Sequence, residues 1–97
     1  MKALPYQLAE PENTACFSCK HIFHEAADIL IATHDVDGGW KFLCGGDHVE
    51  ADAMIVGLGE VVKVDPSVNA LYEMPKGIGA FRDNPDSEWK PYRLSSE

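Results

Sequence analysis

Residues 16–24 read CFSCKHIFH, two cysteines three positions apart followed by two histidines. Thiolates and imidazoles are the side chains that take soft metal ions, and a Cys-x2-Cys pair supplies two of the four ligands of a tetrahedral zinc site. A second pair stands at Cys44-x3-His48. Cys16, Cys19, Cys44 and His48 therefore form a candidate zinc set of three cysteines and one histidine, with His34 as a substitute for the last. Against this set, one arm alone has the knuckle spacing, and 4 histidines in 97 residues generate such pairs by chance. The competing reading makes Cys16 and Cys19 small interior side chains, the usual place of free cysteine.

The same residues admit two thiol chemistries. A redox-active Cys-x2-Cys follows a strand and opens a helix whose N-terminus favours the thiolate; here AEPENT precedes the pair and no βαβ pattern surrounds it. A nucleophilic Cys44 needs an imidazole in hydrogen-bond reach, which His34 or His48 would supply, and an orienting carboxylate such as Asp47. Other motifs are incomplete. Asp35-x-Asp37-Gly38 opens like a calcium loop, but Gly39 and Trp40 follow and no glutamate closes it. Gly45-Gly46 lacks the Lys-Ser/Thr of a phosphate loop. The expectation is a chain without catalytic residues or cofactor, zinc being the alternative and a Cys44–histidine thiol enzyme the next. On that expectation Cys16 and Cys19 pack in the interior, His21 and His24 face solvent, and the sulfur and imidazole groups do not converge.

The elements that would position these groups are partly legible. Residues 1–14 are a polar, proline-bearing lead-in expected to run extended. Between 14 and 26 two patterns compete: Cys16, Cys19, Phe23 and Ala26 make a helical stripe with Thr14 as its cap, while Cys16, Ser18, Lys20 and Ile22 make one side of a strand. Residues 29–33 are rich in β-branched side chains and residues 40–44 alternate bulky with other side chains. Asp37-Gly38 between them supplies hairpin turn chemistry. Residues 54–56 read as strand and 61–64 as strand or short helix. Asp65-Pro66-Ser67 is a helix entry, with Asp65 as N-cap and Pro66 in the first turn. Val68, Leu71 and Tyr72 continue it, and Pro75 ends it. Residues 77–82 suit a strand, 84–86 a turn, and 89–92 a last pairing segment. The fold expected is α+β, a small antiparallel sheet with a central hairpin and one or two short helices, forming a single domain over 15–92 with a frayed tail at 93–97. Trp40 and Phe42 share one strand face and are expected in its core.

Composition limits the function classes. Apolar residues make up 45% of the chain, as in folded globular proteins. The uninterrupted apolar runs, 29–32 and 53–58, are far below the roughly 20 residues that cross a bilayer. No secretory signal precedes the domain, so the expected address is cytoplasmic, where 3 cysteines stay reduced. A net charge of −8 opposes nucleic acid and anionic membranes and suits a basic protein partner.

Three stretches together carry a resemblance: ACFSCKHIF, then GWKFLCGG, then VKVDPSVNALYEMPKGIGAFRD followed by a tryptophan. From about residue 15 to 89 the chain resembles DUF2185, a bacterial domain family of unknown function grouped with the immunity proteins of polymorphic toxin systems. The shared motif comprises Gly39, Trp40 and Phe42, then Asp65, Pro66, Ser67, Leu71, Pro75, Gly77, Ala80, Phe81 and Arg82. The resemblance implies an α+β fold, no known enzyme activity, and work done by protein–protein contact. It does not imply the thiols. The family tends to read serine then glycine where this chain has Cys44 and its glycines, and a small residue followed by Ser-Lys where it has Cys16-x2-Cys19.

Overall fold

In the computed structural model the residues described are Leu8, 10–46 and 52–94. β1 (Ala15–Cys19) starts where the proline-bearing lead-in ends and buries Cys16 and Ser18 while Phe17 points outward. At Cys19 the chain turns directly into α1 (Lys20–Glu25), which buries Ile22 and stops at Ala26 in the left-handed region, φ 58°. Each competing periodicity thus holds for part of the segment, strand up to Cys19 and helix after it.

β2 (Ile31–His34) and β3 (Trp40–Leu43) form the expected hairpin, with Ala32 opposite Phe42 and His34 opposite Trp40. Its loop is closed by Asp35 N–H to the Gly39 carbonyl at 2.7 Å and Gly38 N–H to the Asp35 carbonyl at 2.9 Å. The Asp37 carboxylate accepts from Gly39 N–H at 2.9 Å, and Gly38 sits at φ 96°, where a side chain would be strained. Of the two carboxylates that look like the start of a calcium loop, that of Asp37 builds this turn, while that of Asp35 accepts from Thr33 Oγ1 at 3.2 Å and faces Lys41 Nζ at 3.5 Å.

β4 (Ala53–Gly57) runs straight into α2 (Leu58–Val64), which settles residues 61–64 as helix. Asp65 then caps a 3-10 helix over Pro66–Leu71, its carboxylate accepting from Ser67 N–H at 3.0 Å. β5 (Ile78–Phe81) and β6 (Lys90–Arg93) complete a six-stranded sheet in the order β4-β1-β3-β2-β5-β6. The fold is α+β, as the sequence indicates. The sheet is mixed, because β1 lies parallel to β3 while the other neighbours are antiparallel. Alternation within a strand tells which side chains turn inward, not which strand it pairs with or in what direction. The last strand reaches Arg93, and Leu94 N–H donates to the Gly77 carbonyl at 2.9 Å.

The two faces of this sheet differ. Cys16, Ala32, Trp40, Phe42 and Ala80 turn toward α2 and the 3-10 helix and pack with Leu58, Val61, Val62, Val68 and Leu71. Each of the larger aliphatic and phenyl side chains among these contributes about 1.5–3 kcal/mol on burial. Leu8 joins this core, so the lead-in does more than cross the surface. Its continuation is strapped to α2 by Gly59 N–H to the Glu12 carbonyl and Leu58 N–H to the Thr14 carbonyl, both 2.9 Å. On the opposite face the strand registers align Ile55, Phe17, Lys41, Thr33, Gly79 and Tyr92 in one row. Of these, Ile55 is 67% and Phe17 49% exposed, so this face stays open. A Cβ on Gly79 would come within 2.7 Å of the Tyr92 ring, which lies over it. Among the described residues no helix is long and apolar enough to cross a membrane.

Candidate functional site

The direct β1–α1 turn places Cys19 as the last strand residue and His21 in the first helical turn. β3, parallel to β1 with Phe17 beside Lys41, ends at Leu43 level with Cys19 and delivers Cys44 one residue later. Three residues from two distant stretches therefore meet at one end of the sheet. The Cys19 and Cys44 sulfurs and an imidazole nitrogen of His21 all lie within 4.8 Å of one another. Cys44 Sγ is 3.5 Å from His21 Nδ1. The other ring nitrogen, Nε2, is 3.9 Å from a carboxylate oxygen of Asp52, which precedes β4. A carboxylate behind a histidine is the usual second partner of a metal-ligating imidazole, because it fixes the ring's orientation and raises its basicity.

This arrangement corrects the expectation that sulfur and imidazole never converge. It also corrects the solvated placement of His21, which is half-buried against Cys44. Cys19 does pack in the interior, and it belongs to the cluster as well. Of the candidate zinc set, Cys19 and Cys44 come together. Cys16 does not join them. Three positions is an odd step along a strand, so Cys16 turns to the helix-covered face, where burial pushes its thiol up from 9.0 to about 12. His48 and Asp47 lie outside the described residues. The candidate ligand that sequence reasoning missed is His21. The signal was present in the Cys19-x-His21 spacing, but it becomes readable only once a strand is known to end at Cys19.

A nucleophilic reading has some geometric basis, since Cys44, His21 and Asp52 stand in the order thiol, imidazole, carboxylate. The electrostatics run against it. The Cys44 thiol is shifted up, chiefly by desolvation, with the neighbouring Cys19 adding to the rise although the Gly46 amide lowers it. A catalytic nucleophile that must turn over at neutral pH requires the opposite shift. Two clefts of the open face do not include Cys44, although Gly45, the next residue, lines the first. One of about 570 Å³ is lined by Ile31, Phe81, Arg82 and Tyr92, another of about 580 Å³ by Thr33, Asp35, Lys41 and Leu43, and neither includes Cys19, His21 or Cys44. His34, the other imagined partner of Cys44, is engaged elsewhere. It stacks on Trp40 with ring centroids 4.1 Å apart and donates from Nδ1 to the Met74 carbonyl at 2.8 Å, while Nε2 faces the Glu10 carboxylate at 3.5 Å.

The motif residues form a separate polar centre. Arg82, buried on β5's exit, donates from one terminal nitrogen to Asp65 at 2.6 Å and from the other to Ser67 Oγ at 2.9 Å and the Pro85 carbonyl at 3.2 Å. Its Nε donates to the Ile29 carbonyl at 3.0 Å, and its guanidinium lies 4.2 Å from the Trp89 ring centroid. Ser67 Oγ in turn donates to Asp65 at 2.6 Å. Pro66 starts the 3-10 helix that carries Ser67. Gly77, at φ 88°, makes the corner into β5, its N–H donating to the His34 carbonyl at 2.7 Å. Gly39, Trp40 and Phe42 close and fill the hairpin, the two rings 2% and 0% exposed as expected of core residues. Pro75 lies between the 3-10 helix and β5. Phe81 alone of these side chains projects onto the open face, 39% exposed. The motif therefore specifies the fold, not a reactive site.

Comparison with known proteins finds no matching family model, no matching curated protein and no matching solved structure.

Proposed function

We propose that this chain is a small binding protein, not an enzyme, and that zinc held by Cys19, His21 and Cys44 fastens one end of its sheet. The observation that carries this reading is the convergence of the three ligand atoms within 4.8 Å. Two sulfurs and an imidazole nitrogen form a soft donor set, which favours zinc over the hard, oxygen-seeking cations. A bound cation would draw the protons from both thiols, reversing the desolvation that now holds Cys44 in its neutral form. It would also tie the β1–α1 turn to the end of β3.

The work itself is assigned to surface contact. The open sheet face displays Phe17, Ile55, Phe81 and Tyr92, and a net charge of −8 favours a basic protein partner over nucleic acid or an anionic membrane. The DUF2185 resemblance, with its immunity-type role, supports the same class of function. A cytoplasmic address accords with three free thiols.

Elemental analysis of the purified full chain after gel filtration tests the metal. We expect one zinc per chain, removed by a chelator with a fall in Tm, kept by Cys16→Ala and lost in Cys44→Ser. Folded protein that is metal-free and indifferent to added zinc overturns the zinc reading. Sustained turnover on a panel of hydrolase and oxidoreductase substrates overturns the assignment as a non-enzyme.

A further inference from the structure

We propose that Cys19 and Cys44 are an oxidative modification site, which a peroxide closes into an intramolecular disulfide while Cys16 is spared. The inference concerns the site to which the zinc reading assigns a metal, but it depends on the two thiols alone.

Geometry carries it. Cys19 ends β1 beside Leu43 of β3, and Cys44 is the next residue, so the two cysteines are diagonal neighbours on adjacent strands. A diagonal step between neighbouring strands, about 4.8 Å across and about 3.3 Å along, separates Cα atoms by roughly 5.8 Å, inside the range of roughly 4.4–6.8 Å that a disulfide accepts between them. Their sulfurs already lie within 4.8 Å of each other, and no disulfide joins them. The two thiols also differ in access. Cys44 is partly exposed, whereas Cys19 is 1% exposed. Cys44 is thus the sulfur a small oxidant meets first and Cys19 the one that resolves the product.

The chemistry balances with hydrogen peroxide as oxidant. The Cys44 sulfur attacks one peroxide oxygen, the O–O bond breaks, an S–O bond forms, and the departing hydroxide takes up the thiol proton as water. The Cys19 sulfur then attacks the sulfenic sulfur of Cys44. The S–S bond forms, the S–O bond breaks, and hydroxide leaves with the Cys19 proton as a second water. Two thiols lose two electrons, one peroxide gains them, and a cellular dithiol reductant reverses the result. Cys16 cannot take part, because its side chain lies on the opposite face of β1. Where zinc occupies the site, the disulfide removes two of its three ligands and the ion is released.

The test treats the full chain, zinc-loaded and zinc-free, with hydrogen peroxide, quenches it, denatures it, and alkylates the remaining thiols before intact-mass and peptide mapping. We expect a monomer that has lost two hydrogens, a Cys19–Cys44 linked peptide, one alkylated cysteine, Cys16, and recovery of all three thiols with a reductant. Cys44→Ser should slow the loss of the Cys19 thiol by about tenfold or more, because the exposed sulfur is gone. Cys16→Ala should leave the linkage intact. Over-oxidation of Cys44 without a link, intermolecular dimers, or a link involving Cys16 overturns the proposal. If the link forms in a chain that binds no zinc, the metal reading alone fails. If zinc binds but no link forms, the oxidation proposal alone fails.

Discussion

The Arg82 centre and the Cys19–His21–Cys44 centre are both polar clusters that join distant stretches of chain, and they differ in how completely their chemistry is used up. Around Arg82, contacts to Asp65, Ser67, Pro85 and Ile29 occupy the guanidinium, and the Trp89 ring covers its face. Such a centre has little left to offer a ligand. At the sheet end, two thiols and an imidazole face one another as soft donors that favour a cation or a bond between them. The first centre carries the resemblance motif and the second does not. The residues around Arg82 thus serve the fold's interior, while the Cys19–His21–Cys44 cluster draws on none of them.

The largest effect expected separates the two centres by stability. Arg82→Ala leaves the Asp65 carboxylate without its buried partner and the Ile29 carbonyl without its donor. Breaking a buried pair in this way costs about 3–5 kcal/mol. Urea denaturation at neutral pH measures it, and a double-mutant cycle with Asp65→Ala should show coupling, since the two residues share one contact. Zinc stoichiometry in the folded fraction should be unchanged. A loss of zinc equal to the loss of fold-stabilising contacts would mean that the centres are one cooperative unit and the comparison is false.

The next effect is conditional on metal. With free zinc at roughly 100 times its Kd, binding to the native state alone adds about 2.7 kcal/mol, and about a kcal/mol moves the Tm of a domain this size by roughly 4–8 °C. Cys44→Ser should remove that zinc-dependent rise while changing the zinc-free Tm little, because Cys44 is not in the fully buried core. Thermal melts of both chains with and without zinc give the answer. An equal zinc response in the variant would remove Cys44 from the site.

How much of this was legible before any coordinates depended on how local the cause was. The hairpin was readable because Asp37-Gly38 makes a turn by its own backbone and carboxylate, and the 3-10 entry because Asp65 and Ser67 are two residues apart. The α+β class followed from such local signals. The parallel β1–β3 pair was not readable, since partner and direction are set by packing between residues 24 apart, as the Ser18 hydroxyl donating to the Phe42 carbonyl illustrates. The site depended on that same pairing. Cys19 and Cys44 stand out in composition, but which histidine joins them turns on where β1 stops, and a helix-like or knuckle reading groups Cys16 with Cys19, which strand alternation then separates.

The smallest effect expected sharpens the contrast between Cys16 and Cys19 on the same strand. Cys16 packs among apolar side chains, so Cys16→Ala removes a small buried group at a cost of about 1 kcal/mol and should leave zinc binding and the Cys19–Cys44 link untouched. Its signature is instead in alkaline solution. Burial raises the Cys16 thiol from 9.0 to about 12, so above 9.0 the unfolded chain ionises there while the native chain holds its proton. The stability associated with that proton is fully present below the unfolded value and is lost as pH rises toward the folded one. Chemical denaturation of wild type should therefore show a steeper decline over that window than Cys16→Ala, and the two curves should run parallel at lower pH. Parallel curves throughout would mean that Cys16 ionises as freely in the native protein as in the unfolded chain, and that its place among the core side chains is wrong.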